Sequence, residues 1–547
     1  MNKATGVVFP RAQVSPLHRP FLPYHLPSAP LTGTSGIPHG GLESGHRLSR
    51  SLPLSRLPPP QEVTNPILPS GPPAFPLVGN LLWLRRPFSE IESILRRLRL
   101  EYGPIVMIKV GFLTPVFVSD RDLAHKILVQ SGATFAGRPP VGPATSLLTG
   151  NQYSINGLPY GPLWRTLRRN LSAEILHQSR IRYFSRARDW VLTVLLDKLR
   201  MEADTGEPVM VVESFLYAMF CLLVFMCFGE KLEEKTVREI ERIQRDILLY
   251  VDKLTIFAFL PKIGKYLLKD RWRKIGDMRR RQKDVFLPLI RARQKWRDQG
   301  MSSCGENILE FSYVDTLLDM EVPDGEGKNR KLRDEEIVSL CSEFLNAGTD
   351  TTVTALEWIM ANVVKRQDMQ KKLFEEIIAV VGKVEAVEEE DLGKLAYLKA
   401  VVMEGLRRHP PGHFLLPHAA IDDTEVNGYV IPRSAPLNFM VTEMNWNGDV
   451  WENPMEFRPE RFLPGGEGEG VDITGSKEIK MMTFGAGRRI CPGLALAVLH
   501  LEFFVANLVR EFEWKEVEGE QVDMTEKVQF TVVMKTPLKV RLFPRSG

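Results

Sequence analysis

The densest chemistry in this 547-residue chain lies in Phe484-Gly-Ala-Gly-Arg-Arg-Ile-Cys-Pro-Gly493. Cys491 is read as opening a helix, with Pro492 in the first turn. That placement sets the sulfur at the positive end of the helix dipole and favours the thiolate, the form that binds iron. Gly485 and Gly487 let the backbone approach a flat ligand and leave amide N–H groups free for the sulfur. A cysteine before a helix is, taken alone, more often an inert buried thiol. With Phe484, Gly485, Gly487, Arg489 and Gly493 fixed beside it, the pattern arises by chance on the order of once in 10⁵ chains. A second segment, Ala347-Gly-Thr-Asp-Thr-Thr352, sets polar and β-branched residues inside a helical stretch, where threonine hydroxyls compete for the carbonyl one turn back. An ordinary kink has the same look. Glu404 and Arg407 lie one turn apart on one helix face, and Pro459-Glu-Arg-Phe462 follows about fifty residues later. Trp164 and Arg168, four apart, are neighbours on another helix.

Helices must carry most of these groups. From about Pro162 to Lys383 helical periodicity dominates, and the clearest run, Asp334 to about Val364, is free of proline. At that length the helix crosses most of a domain. Ile105 to Val110 and Pro115 to Ser119 read as strands and Arg121 to Gln130 as a helix. Asn427-Gly428 marks a hairpin. After Cys491 a helix carries Leu494, Val498, Leu501, Val505, Leu508 and Phe512 on one stripe. Leu68 to Asn80, with four prolines and two glycines, reads as a stiff extended hinge.

The Phe484–Gly493 segment resembles the haem-binding loop of the cytochrome P450 haem-thiolate monooxygenases. Five motifs in the family's order extend the likeness from about Leu68 to the C-terminus. Arg407-Arg-His-Pro-Pro-Gly-His-Phe414 and Lys480-Met-Met-Thr-Phe-Gly485 resemble plant enzymes of the endoplasmic-reticulum type. The resemblance implies a mainly α fold with small β-sheets (α+β), a triangular helix-rich prism with haem b between a long distal helix and a proximal helix. It implies Cys491 as axial iron ligand, with Phe484, Trp164, Arg168, His418 and Arg489 around the haem and its propionates. Asp350 and Thr351 become the acid and alcohol that relay protons to bound dioxygen. Glu404, Arg407 and Arg461 become a buried structural network, and Ala347, Phe414, Leu415, Leu416, Phe530 and Thr531 line a substrate pocket. Thr483 replaces the proline that relatives usually carry there, a change expected to loosen one turn.

No Gly-x-Gly-x-x-Gly unit follows a strand and no Walker loop is present, so the resemblance implies NADPH-derived electrons from a separate cytochrome P450 reductase. Arg165 to Arg169 and Arg488 would offer it a basic face. The apolar lining points to a hydrophobic substrate such as a fatty acyl chain or terpenoid. Two other readings are a haem-thiolate isomerase or dehydratase, which has no need of the Asp350 and Thr351 relay, and a haem-binding protein without turnover.

The formal charge of +4 belongs to a tail: residues 1–60 carry six basic side chains and one acid, leaving a near-neutral body without the footprint of a nucleic-acid binder. Sixteen of the 39 prolines fall in the first 76 residues, so 1–66 read as a disordered or processed leader and 67–547 as the catalytic domain. The leader admits a targeting peptide, a mis-assembled start or a linker. It stands in place of the apolar anchor of endoplasmic-reticulum enzymes, whose cytosolic membrane face is the location implied, a plastid being the alternative. Five scattered cysteines (Cys221, Cys227, Cys304, Cys341, Cys491) exclude a disulfide framework or zinc cluster. Phe215 to Phe228 is short of the roughly 20 residues that span a bilayer and reads as a core helix. Ile256-Phe-Ala-Phe-Leu-Pro261 between lysines is either a membrane-surface wedge or core.

Overall fold

A computed structural model of the chain describes residues 67–75, 79–80, 88–151, 153–254, 256–257, 263–300, 307–325, 327–382 and 386–545. The leader, Cys304 and the stretch 258–262 of the wedge lie outside the described residues. Residues 65–547 form one compact unit.

The distal helix, Asp334–Lys365, runs 32 residues. Asp334, Glu335 and Glu336 occupy its first turn, where carboxylates offset the helix dipole. It packs against Val211–Phe228 and against the proximal helix Leu494–Glu511. Val211–Phe228 is apolar enough to pass for a membrane span by composition, yet its most apolar window is 83% buried inside the fold. The proximal helix is buried on every face from His500 to Val509, so the stripe expected on it is only part of what it buries.

Small sheets border this helical body. Ile105–Met107 pairs antiparallel with Val116–Val118, which pairs in parallel with Leu437–Phe439. Asn427 and Gly428 both take positive φ and close the hairpin between Thr424–Val426 and Tyr429–Ile431, the backbone twist such a two-residue turn requires. The Pro-rich entry is no hinge. Ser70 accepts the amide of Met107, Ile67 accepts that of Val430, and a Cβ at Gly71 would fall 1.8 Å from the Met107 carbonyl, so the segment is laid onto the sheet.

Candidate active site

The cysteine loop is closed by its own backbone: Cys491 donates its amide to the Phe484 carbonyl at 2.9 Å. Gly487 (φ 70°) begins a 3₁₀ turn through Arg489. A Cβ there would lie 1.8 Å from the Leu128 carbonyl, so this glycine lets the loop sit on the π-helical turn Lys126–Gln130. Cys491 itself is not in the helix. The proximal helix starts at Leu494 with Gly493 as its cap, which puts Pro492 outside it. The sulfur is instead held by the Gly493 amide; burial pushes the thiol up, opposed by that hydrogen bond and by the nearby Arg168 guanidinium.

Three guanidiniums gather beside this loop. Arg168 Nη2 donates to the Ile490 carbonyl at 2.6 Å. Arg489 donates to the carbonyls of Ala136, Ile155 and Leu158, and lies 4.7 Å over the Trp164 ring. Arg138, unremarked in the sequence, donates to Asn156, Leu416 and Pro417. Burial, with Arg138 and Arg168 as neighbours, lowers Arg489 to about 9. Trp164 Nε1 donates to the Ile155 carbonyl at 3.0 Å. Phe484, half-buried, packs at the edge of the main core.

His418 does not join them as a donor. Its Nδ1 proton goes to the Phe135 carbonyl at 2.9 Å. Burial, reinforced by Arg138 and Arg489, lowers the ring to about 3, so it is neutral and its other nitrogen offers a lone pair.

On the distal helix Thr349, Thr351 and Thr352 donate to the carbonyls of Leu345, Ala347 and Gly348, the back-bonding expected of them. Ala347 is exposed within this otherwise buried helix. Asp350 Oδ2 is buried and has no hydrogen-bond partner. Burial raises the Asp350 carboxyl, Arg245 opposes the rise and Glu241 adds to it. At Gly348 a Cβ would fall 2.7 Å from Leu223 Cδ1, marking where Val211–Phe228 crosses closest.

The expected pocket residues separate. Thr531 Oγ1 meets Thr354 Oγ1 at 2.8 Å, attaching its segment to the distal helix; Phe530 is exposed. Leu415 lies against Gly485, where a Cβ would stand 3.6 Å away. Phe414 packs its ring edge-on to Phe117 at 6.0 Å among the sheet residues, and since consecutive side chains on an extended segment face opposite ways, it and Leu415 point apart. Leu416, on that same side, is 48% exposed.

Below the loop, Glu404 takes Arg407 in a bidentate pair (2.6 and 2.7 Å) and Arg461 Nε at 3.3 Å, with all three side chains fully buried. Arg461 also bonds Glu467. Thr483 ties its turn rather than loosening it. Its hydroxyl donates to the Leu406 carbonyl at 2.8 Å and accepts from Asn445 at 2.9 Å, contacts a proline could not make.

Compared with known proteins, residues 69–542 match the family model of cytochrome P450. The chain belongs to the cytochrome P450 family. It is 48% identical to "Cytochrome P450 89A9" of Arabidopsis thaliana, over 87% of this chain and 94% of that protein. It is 31% identical to a flavonoid 3'-monooxygenase of the same plant, over 87% and 92%. A zebra fish cytochrome P450 solved with progesterone shares the fold at a TM-score of 0.69 and 21% identity, covering 83% of this chain and 99% of that one. The P450 is an oxidoreductase of the monooxygenase class, and the family implies haem. Its residues fit that cofactor: Arg138, Arg168 and Arg489 converge with Glu343 as the one carboxylate acting on all three, a positive excess suited to the carboxylates of a porphyrin, beside a thiol.

Two functional positions escaped the sequence reading. Arg138 precedes Pro139-Pro140 and belongs to none of the motifs quoted above. Glu343 is an acid on an apolar helix one turn before Ala347, and that misplaced charge was the available signal.

Proposed function

We propose that this P450 inserts one oxygen atom of O₂ into a hydrophobic small molecule, by hydroxylation or epoxidation, with NADPH electrons delivered by a separate reductase. The observation that supports it is Asp350: a carboxyl raised by burial, whose buried Oδ2 has no hydrogen-bond partner, directly before Thr351 in the stretch that starts at the exposed Ala347. An isomerase or dehydratase gains nothing from such an acid.

Haem bound through Cys491 supplies dioxygen activation. Arg138, Arg168, Arg489 and Trp164 would exchange their carbonyl partners for the propionates. Asp350, whose carboxyl burial raises, passes a proton to Thr351 Oγ1, whose hydroxyl turns from the Ala347 carbonyl to donate into the site. Arg245 and Glu241, on the helix Glu234–Tyr250, connect that acid to the exterior.

Asp350→Asn is expected to lower product formed per haem about 100-fold or more, with the carbon monoxide spectrum unchanged. Because the raised acid must hold its proton, the parent's rate falls on the alkaline side and the variant loses that limb. The assay is NADPH-dependent turnover with added plant reductase, and undiminished turnover removes Asp350 from the relay. The names of two relatives, a flavonoid 3'-monooxygenase and a costunolide synthase, support a small-molecule substrate for this chain, read here as a fatty acyl chain or terpenoid.

Arg165 and Arg488 flank the Tyr160 ring at 5.5 and 5.6 Å, and with Arg169 they form the basic face offered to an acidic reductase. The membrane wedge shifts from the sequence reading: Phe257 is buried against Trp272, whereas Ile256, Ile263, Tyr266 and Leu267 are exposed. A chain beginning at Leu68 is expected to float with liposomes through these residues; recovery wholly in the supernatant would remove that contact.

A further inference from the structure

Glu343 sits on the distal helix four residues before Ala347, hence on the same face one turn away. Its two oxygens are both committed: Oε2 accepts the Ile155 amide and Oε1 the Asn156 amide, each at 2.6 Å. Those amides belong to a tight turn in which Leu158 donates to the Ser154 carbonyl at 2.9 Å. The carbonyls of the same turn are taken from the other side. Ile155 O receives Trp164 Nε1 and Arg489 Nη1, Asn156 O receives Arg138 Nε, and Leu158 O receives Arg489 Nη2.

One turn of backbone is therefore stretched between a carboxyl on the distal helix, which burial pushes up to about 7 against its two amide bonds, and two guanidiniums plus an indole on the haem-loop side. The turn joins Pro143–Leu148 to Pro162–Asn170 with no helix or strand of its own, so these charge-assisted bonds carry most of its order. If propionates draw Arg138, Arg489 and Trp164 away from the carbonyls, the Glu343 bonds are what remains.

We infer that Glu343 is a positioning residue: its carboxylate clamps residues 154–158 to the distal helix as a wall of the site, and so holds that wall in place when Trp164 and Arg489 turn from it to the cofactor. This rests on the reading that the P450 holds haem beside Cys491. Two amides facing one carboxylate also make glutamine a poor substitute. Its amide nitrogen would confront one of the N–H groups, leaving that donor without an acceptor.

The test compares the full-length parent, Glu343→Gln and Glu343→Asp. Haem transfer to excess apomyoglobin is followed for the loaded proteins, and chymotryptic cleavage after Tyr153, a buried residue at the edge of the turn, is mapped by mass for loaded and haem-free chains. Glu343→Gln is expected to release haem roughly ten-fold faster and to be cut after Tyr153 while other sites stay protected. Glu343→Asp, which keeps the charge, falls between it and the parent. Parent-like haem release and cleavage in Glu343→Gln overturn the inference, as does an aspartate variant that behaves like glutamine. A parent that takes up no haem instead overturns the functional reading, and cleavage of the haem-free chains then decides Glu343 alone.

Discussion

Replacing Cys491 by alanine is expected to abolish both turnover and the far-red Soret band that reduced haem-thiolate shows with carbon monoxide. The loop should survive the change. Its closure uses the Cys491 amide and the Phe484 carbonyl, its base uses Gly487 against Leu128, and neither needs the sulfur. What disappears is the ligand. In the protein alone, burial holds the thiol protonated more firmly than in water, so the Gly493 amide and the Arg168 field are not sufficient to ionise it and the iron cation has to displace the proton. The alanine variant has no atom to offer the metal. The difference spectrum of the reduced protein decides the point, and a variant that kept the red shift would sink the assignment of Cys491.

Glu404→Gln is expected to cost about 3–5 kcal/mol, a large fraction of the roughly 5–15 kcal/mol that keeps a domain folded. Glu404 meets two fully buried guanidiniums at once and also accepts the Arg458 amide at 2.8 Å. Neutralising it leaves Arg407 with only the carbonyls of Asn445, Pro454 and Glu456 and leaves Arg461 sharing Glu467 with Arg458. The damage centres on the meander Phe457–Phe462, not on the chemistry. Yield of haem-loaded protein and the denaturant midpoint of what remains are the measurements, and a variant as stable as the parent would show that the network is dispensable.

The distal helix was legible because a proline-free run with acids at its start allows little else, and the loop was legible because six positions agreed. The start of the proximal helix was misread by three residues for a physical reason: Pro492 satisfies the rule for a first-turn proline, while Gly493 is the actual cap. The parallel pairing of Val116–Val118 with Leu437–Phe439 joins strands over 300 residues apart and leaves no local trace. Phe414 packs on Phe117, and motif position says nothing about which face of an extended segment points inward. The tautomer of His418 is set by a carbonyl contributed from Phe135, a partner that leaves no local trace in the sequence. Arg138 and Glu343 were hidden for a related reason. Each acts through backbone groups of a turn, and backbone groups have no letter in the sequence.

The crossing at Gly348 sets a dimension of the active site from behind. Leu223 already occupies the space that a side chain at 348 would need, so the separation of the two helices is as small as a hydrogen in place of a methyl permits. The distal helix is a 32-residue rod buried along most of its length, and a close-packed rod shifts as a body more readily than it bends. Any bulk added at the crossing would displace Asp350 and Thr351 together, toward the cofactor side. The position of Asp350 and Thr351 is thus gauged by an apolar helix that carries none of the expected site residues, and mutations on Val211–Phe228 should read out as changes in coupling between electron input and product rather than as loss of fold.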